Sequence, residues 1–290
     1  MILDGVTVLD MSEVVAGPTC AMYLGDLGAN VIKIERYKYG DNSRTFEPFK
    51  DAESCIYLAC NRNKRSISLN TKTDKGREVL YRLVEKADIV IENFTTGDAE
   101  KNKIDYETLR KYKPDLIHCS ISSFGRIGPL AKKRGYDGIA QAYGGLMAQT
   151  GPGPEYPPVR AGYSVSDVPT GIISAFGILA ALIYRQQTGQ GQFIDTNLLT
   201  TQITLSSYYS TGYLAVDDLP IPMGSRHPSF SPYQAFKARD GYIMIGILNE
   251  VQWNRLCSVP YFQQLKDEPL YANNESRMAN NDKLFEEMES

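Results

Sequence analysis

Short apolar runs alternate with amphipathic stretches along the first part of the chain. Val6-Thr7-Val8-Leu9-Asp10 reads as a strand, the stretch opened by Ala16-Gly17-Pro18 as a helix, and Val31-Ile32-Lys33-Ile34 as a second strand. The rhythm continues through strand-like Ser66-Ile67-Ser68-Leu69, a helix from about Asp74 to Ala87, the run Ile89-Val90-Ile91, a helix around Tyr106 to Tyr112, and a strand from Leu116 to Ile121. Strands separated by helices of this length predict an α/β fold with a Rossmann-like, doubly wound, mostly parallel sheet. In such sheets ligands sit outside the carboxyl ends of the strands. Those ends are Asp10 to Val15, Glu35-Arg36, Glu92-Asn93-Phe94 and Ser122 to Gly125, each polar or glycine-containing.

Past Gly125 the texture changes. A basic loop, Lys132-Lys133-Arg134, leads to a helix around Ile139 to Ala148, a Pro/Gly-rich loop from Gly151 to Pro158, and a long apolar helix starting near Asp167. A strand and helix over Phe193 to Ser206 come next, and then the turn-rich segment Asp217 to Pro232. Tyr233 to Ile247 reads as two antiparallel strands turning at Asp240-Gly241, and Asn273 to Ser290 as polar helix. The pattern predicts a large domain over 1–215, and over 216–290 a linker with the start of a smaller α+β domain.

Charge and composition narrow the chemistry. A net charge of -3 excludes a nucleic-acid footprint over the whole surface, so a polyanionic ligand must meet a local basic site. His118 and His227 are the only histidines, too few for a multi-imidazole metal site, and neither has a signature of a Ser-His-Asp or Cys-His arrangement. No metal site is expected. The five cysteines form an odd set without CxxC spacing, and the N-terminus lacks a signal-peptide pattern, which together imply a reducing, cytoplasmic setting. The longest apolar stretch, Gly171 to Tyr184, is the length of a buried core helix rather than of a membrane span. Covalent chemistry, if present, falls to carboxylates.

Asp167 stands out by position. It precedes Val168-Pro169-Thr170-Gly171 at the start of the apolar helix, where an aspartate serves as an N-cap. The same place puts a carboxylate against free backbone N–H groups, suited to reaction chemistry. Local sequence leaves both roles open. Arg36, Lys72, Lys101 and Arg134 come after strands or lie in loops, where they are either solvated surface or, together, a grip for nucleotide phosphates. Ala16-Gly17-Pro18 is not a GxGxxG fingerprint and reads as a tight strand-to-helix turn. Tyr136-Asp137 precedes another helix, with Asp137 a cap candidate.

These motifs, taken in order, resemble one family. Leu3 to Asp10 with Ala16-Gly17-Pro18, Leu27 to Glu35, Asn63-Lys64-Arg65-Ser66-Ile67, Asp88 to Phe94, Gly135-Tyr136-Asp137 with Ile139-Ala140-Gln141, and the Asp167 segment running into Gly177 to Leu182 are similar to the class III CoA-transferases, the group of formyl-CoA transferase, carnitine CoA-transferase and α-methylacyl-CoA racemase. The resemblance implies that Asp167 is a nucleophile passing through aspartyl anhydride and aspartyl-CoA intermediates, and that coenzyme A arrives as substrate with no tightly bound cofactor. It implies CoA contacts at Val15, Ala16, Arg36, Leu69, Lys72, Asn93, Phe94, Lys101, Arg134, Tyr136 and Asp137. Lys101 stands where formyl-CoA transferase has arginine, and Val15 where it has glutamine. Racemases of the group carry histidine at the place of Tyr136; a phenol with a pKa near ~10 exchanges protons poorly at neutral pH, so transfer is expected over racemisation. The implied partners are an acyl-CoA and a small carboxylic acid. A homodimer, interlocked in the family, is also implied, or a partner chain supplying the C-terminal part with which family members continue. The alternatives are an acyl-CoA racemase or a non-catalytic CoA-binding subunit.

Overall fold

The computed structural model describes residues 1–289, and the chain divides into two compact units, residues 1–147 with 160–219 and residues 148–159 with 220–290. The segment 148–159, which the sequence places inside the large domain, therefore groups with the C-terminal unit.

The first unit contains β1 (Thr7–Asp10), α1 (Ala16–Asp26), β2 (Asn30–Arg36), β3 (Phe49–Lys50), β4 (Glu53–Ser54), α2 (Cys55–Cys60), β5 (Lys64–Leu69), α3 (Asp74–Val84), β6 (Ile89–Glu92), α4 (Asp98–Lys101), α5 (Tyr106–Leu109), β7 (Ile117–Ser122) and α6 (Asp137–Tyr143). After the short α7 (Leu146–Gln149), it continues with α8 (Asp167–Thr188), β8 (Phe193–Asn197), α9 (Leu198–Ser206) and α10 (Tyr208–Val216). Six strands form one sheet in the order β5-β2-β1-β6-β7-β8, every pair parallel. This is the doubly wound architecture the alternating pattern predicts. The chain moves outward from β1 through β2 to β5, then returns to add β6 on the other side of β1. A crevice opens at that reversal, between the carboxyl ends of β1 and β6.

Period-two alternation divides the strand residues between two cores. Val8, Val31, Ile89, Ile91, Ile117 and Cys119 pack with α1 and α8 through Cys20, Leu24, Ala175 and Ile178. Leu9, Ile34 and Val90 face the other way, toward Leu80, Val84 and Leu109 of α3 and α5. Helix α8 is long and apolar enough to cross a membrane, but Ile178, Ala181 and Leu182 on one side are core residues of this unit. Gly171 lets it approach α1 closely: a Cβ there would lie 2.6 Å from the carbonyl oxygen of Ala16.

The second unit carries the predicted hairpin, β9 (Tyr233–Ala238) and β10 (Gly241–Gly246), paired antiparallel with Gly241 opposite Ala238. It also holds α11 (Glu250–Cys257), α12 (Asn274–Ala279) and α13 (Asn281–Glu289). Ser290, the expected last residue of the terminal helix, lies outside the described residues. Phe236, Trp253, Leu265, Tyr271 and Leu284 form its core. The buried Arg277 guanidinium bonds the carbonyls of Ser231 and Tyr271 and the Glu250 carboxylate, and stacks over Trp253.

Candidate active site

A cavity of about 700 Å³ opens at the carboxyl edge of the large sheet, within the size range of small-molecule sites. Each strand end contributes to its wall: Glu13 and Ala16 after β1, Arg36 at the end of β2, Thr71 and Lys72 after β5, Asn93 to Thr96 after β6, Ser122 to Phe124 after β7, and Leu198 after β8. Asp98 and Lys101 come from α4, Lys133 and Arg134 from the basic loop, and Tyr136 and Asp167 also line it.

Asp167 is not the N-cap of α8. Ser166 holds that position, without a side-chain capping bond, and Asp167 is the first helical residue. The backbone N–H groups of Ser166 and Asp167 donate instead to Oδ1 of Asp137, at 2.7 and 3.2 Å. Asp137 is likewise the first residue of α6 rather than its cap, which is Tyr136. Its carboxylate, buried, caps a neighbouring helix and also accepts from Nε2 of Gln141. Gln141 Oε1 takes the N–H of Ala161 at 2.9 Å, and Gln202 Nε2 donates to Ser166 Oγ at 2.8 Å and Val165 O at 3.0 Å. The turn before Asp167 is thus held from α6 and α9 at once.

The Asp167 carboxylate receives none of these donors. Burial, and then the charge of Asp137, push its pKa up from 3.8 to about 7. Among the described residues no hydrogen bond stabilises its charge, so the ionised carboxylate is a high-energy group at the wall of the cavity. That environment removes the plain helix-cap reading of Asp167.

The β1–α1 loop forms the facing wall and is fixed by buried ions. Lys33 Nζ donates to Ser12 O at 2.8 Å and lies 2.9 Å from Asp41, while Lys64 Nζ sits 2.8 Å from Asp10. Burial alone would raise the Asp10 carboxyl; the Lys33 and Lys64 ammonium groups outweigh it and hold it at about 2. Glu13 and Asn93 exchange two hydrogen bonds across the crevice, N to Oδ1 at 2.9 Å and Nδ2 to O at 2.8 Å. Arg36 pairs with Glu13 and donates to Asn42.

Of the positions singled out in the sequence, Ala16, Arg36, Lys72, Asn93, Phe94, Lys101, Arg134, Tyr136 and Asp167 meet around the one cavity. Val15 is adjacent as the N-cap of α1, and Asp137 acts from behind Asp167. Leu69 does not line the cavity: it ends β5 and packs into the α3-side core. Three contributors went unmarked by the sequence. Asn42 completes the Arg36–Glu13 corner through a bond to Glu13 at 2.9 Å. Asp41 grips the β1–α1 loop. Arg126 ties down the β6 loop, bonding the Phe94 carbonyl at 2.8 Å and Thr96 Oγ1 while paired with buried Glu92 at 3.0 Å. The usable signal was for Arg126 alone: an arginine just past one apolar strand, with an acid, Glu92, at the end of another.

Residues 3–290 match a family model described as CoA-transferase family III. Succinyl-CoA:glutarate CoA-transferase of Homo sapiens is 40% identical over 284 residues, covering 98% of this chain and 65% of that protein. Succinyl-CoA:mesaconate CoA-transferase of Haloarcula marismortui is 40% identical over 295 residues, covering 99% and 74%. The crystal structure of a CAIB/BAIF family protein from Brucella suis superimposes with a TM-score of 0.89 at 39% identity, covering 99% of this chain and 77% of that one. The chain thus spans just under two thirds of the human relative's length.

Proposed function

The chain belongs to CoA-transferase family III, and on that footing we propose that it moves coenzyme A from a short dicarboxylic acyl-CoA to a free carboxylic acid through covalent intermediates on Asp167. The observation that carries this reading is a half-buried carboxyl, with no hydrogen bond among the described residues and a pKa of about 7, in a cavity also lined by Arg36, Lys72, Lys101, Lys133 and Arg134. The basic groups suit the phosphates of coenzyme A, and the carboxyl suits attack on a thioester carbonyl. Succinyl-CoA is the donor suggested by the names of the human and haloarchaeal relatives.

Four displacements balance the reaction. The Asp167 carboxylate attacks the thioester carbonyl, releasing CoA thiolate and leaving a mixed anhydride. The thiolate attacks the aspartyl carbonyl of the anhydride, expelling the donor acid and forming an aspartyl-CoA thioester. The acceptor carboxylate attacks that thioester, again releasing thiolate and giving a second anhydride. Attack of the thiolate on the acceptor's acyl carbon yields the new acyl-CoA and frees Asp167. Thioester and anhydride energies are conserved throughout, so no external energy source is needed.

The same footing supports a homodimer. Ile172, Phe176 and Ile183 on the outer side of α8 are 47%, 72% and 58% exposed, an apolar face that a second copy would cover. Sedimentation as a monomer at micromolar concentration would reject that pairing.

The decisive experiment quenches protein incubated with succinyl-CoA and maps adducts by mass spectrometry, alongside CoA exchange into glutarate and mesaconate. An acyl or CoA adduct on Asp167, absent from Asp167→Ala, is the expected result. Exchange by Asp167→Ala at the parent rate rejects the mechanism. Deuterium uptake at the substrate α-carbon without CoA exchange would replace transfer by racemisation.

A further inference from the structure

Val14 has φ of +72°, in the left-handed region that glycine adopts freely and a β-branched residue avoids. A backbone conformation of this kind persists only where its surroundings impose it. The surroundings here are specific. The Val14 N–H points at the carboxylate of Asp41, 3.0 and 3.3 Å from its two oxygens. Asp41 is buried, and its orientation is set by Lys33 Nζ at 2.9 Å and by the N–H and hydroxyl of Ser43 at 2.8 and 2.7 Å. Lys33 in turn holds the carbonyl of Ser12 at 2.8 Å. A lysine and an aspartate, both removed from water, grip the loop on either side of the strained residue.

The cavity wall includes residues on both sides of Val14, Glu13 before it and Ala16 after it. Val15 caps α1, Ala16 lines the cavity, and the Ala16 carbonyl is the surface against which Gly171 of the Asp167 helix rests. A relaxed Val14 would swing the start of α1 and disturb both the wall and the helix that carries the carboxyl group. We propose that Asp41, aimed by Lys33, is a positioning residue that forces Val14 into its left-handed conformation and thereby sets the first turn of α1 against Asp167. The functional part of this proposal rests on the CoA-transfer reading of the cavity; the clamp itself does not.

The test is a mutant cycle of Asp41→Asn and Val14→Gly, with Ser43→Ala as control, read by CoA-exchange kinetics and by hydrogen exchange of the peptide covering residues 12–16. Asp41→Asn weakens the grip without changing shape. It is expected to lower kcat by roughly tenfold or more, because small misplacements of reacting groups cost that much, with a smaller change in KM. Adding Val14→Gly, which supplies the conformation without a clamp, is expected to recover most of that loss. Ser43→Ala removes one of the bonds that aim the Asp41 carboxylate and keeps those to Val14 and Lys33, so it is expected to lower kcat less than Asp41→Asn does, and a larger loss than that of Asp41→Asn counts against the clamp. Turnover of Asp41→Asn at the parent rate, or a further loss on adding Val14→Gly, overturns the proposal. If the parent protein itself exchanges no CoA, the transfer reading falls, and the clamp is judged by exchange alone. Protection over 12–16 is then expected to drop by about tenfold or more in Asp41→Asn, and unchanged protection overturns it. Should Asp41→Asn not fold, Val14→Gly alone decides: a clamp under strain predicts a higher unfolding midpoint, and a lower one overturns it.

Discussion

Replacing Asp167 with asparagine should make the protein more stable and abolish its chemistry. The side chain keeps its shape and loses its charge. In the folded chain burial and the Asp137 charge raise the carboxyl from 3.8 to about 7, so between those values the native state holds a proton that the unfolded chain has released. Stability of the parent protein therefore falls as pH rises through this window, and the penalty is complete above it. At ~1.4 kcal/mol per pH unit the full gap corresponds to about 4 kcal/mol, and water at the cavity mouth reduces this to about 2 to 4 kcal/mol. Asp167→Asn should match the parent near pH 4 and exceed it by that amount near pH 8, with the advantage growing in between. Urea denaturation of both proteins across the range, without acyl-CoA, measures the difference directly, since all other titrating groups are common to both. A constant difference between pH 4 and pH 8 would refute the argument that the site holds Asp167 at an energetic cost.

The same raised carboxyl predicts that the rate of adduct formation from succinyl-CoA climbs with pH and levels off above about 7, because only the ionised form attacks; a flat profile from about pH 5 to 8 in rapid-quench measurements would contradict it. Gly171→Ala places a methyl 2.6 Å from the Ala16 carbonyl oxygen and should destabilise by about 1–3 kcal/mol through overpacking, measured by the shift in denaturation midpoint. Arg126→Met leaves Glu92, 2% exposed, without its guanidinium and should destabilise by about 3–5 kcal/mol. Adding Glu92→Gln removes the stranded charge and should recover part of it, and failure to recover would show that the arginine acts through its bonds to Phe94, Thr96 and Ser120 instead.

The sheet was legible because its signal is local and repeated. Strands β1, β2, β6 and β7 show as short apolar runs and β5 as a polar/apolar alternation, and the connections between them, most with a helix, are long enough for parallel crossovers. Their ends were less so: the helix expected from Tyr106 to Tyr112 stops at Leu109, and that expected over Ile139 to Ala148 breaks into α6 and α7 around Gly144-Gly145. The grouping of 148–159 with the C-terminal unit was beyond reach, since it depends on which distant surface a Pro/Gly loop meets.

The site divides along the same line. Residues at strand ends could be nominated from topology alone, and most of those nominated converge on one cavity; Leu69 is not in its lining because the final residue of a strand faces one side or the other, and this one packs against the core. The buried charges Asp10, Lys33, Asp41 and Lys64 were hidden for the opposite reason, since a lysine inside an apolar strand has meaning only beside the partner it meets across the sheet. Asp167 joins both lessons. Its sequence position offers the capping bonds that would make it an ordinary, stabilised aspartate, and no local rule separates that case from a nucleophile. The separation comes from Asp137, thirty residues earlier, whose carboxylate takes the N–H of Asp167 itself and adds a like charge nearby. The raised pKa of Asp167 thus comes from burial first and from Asp137 second, both set by residues distant in the sequence, which is why local sequence could place this carboxylate without showing its environment.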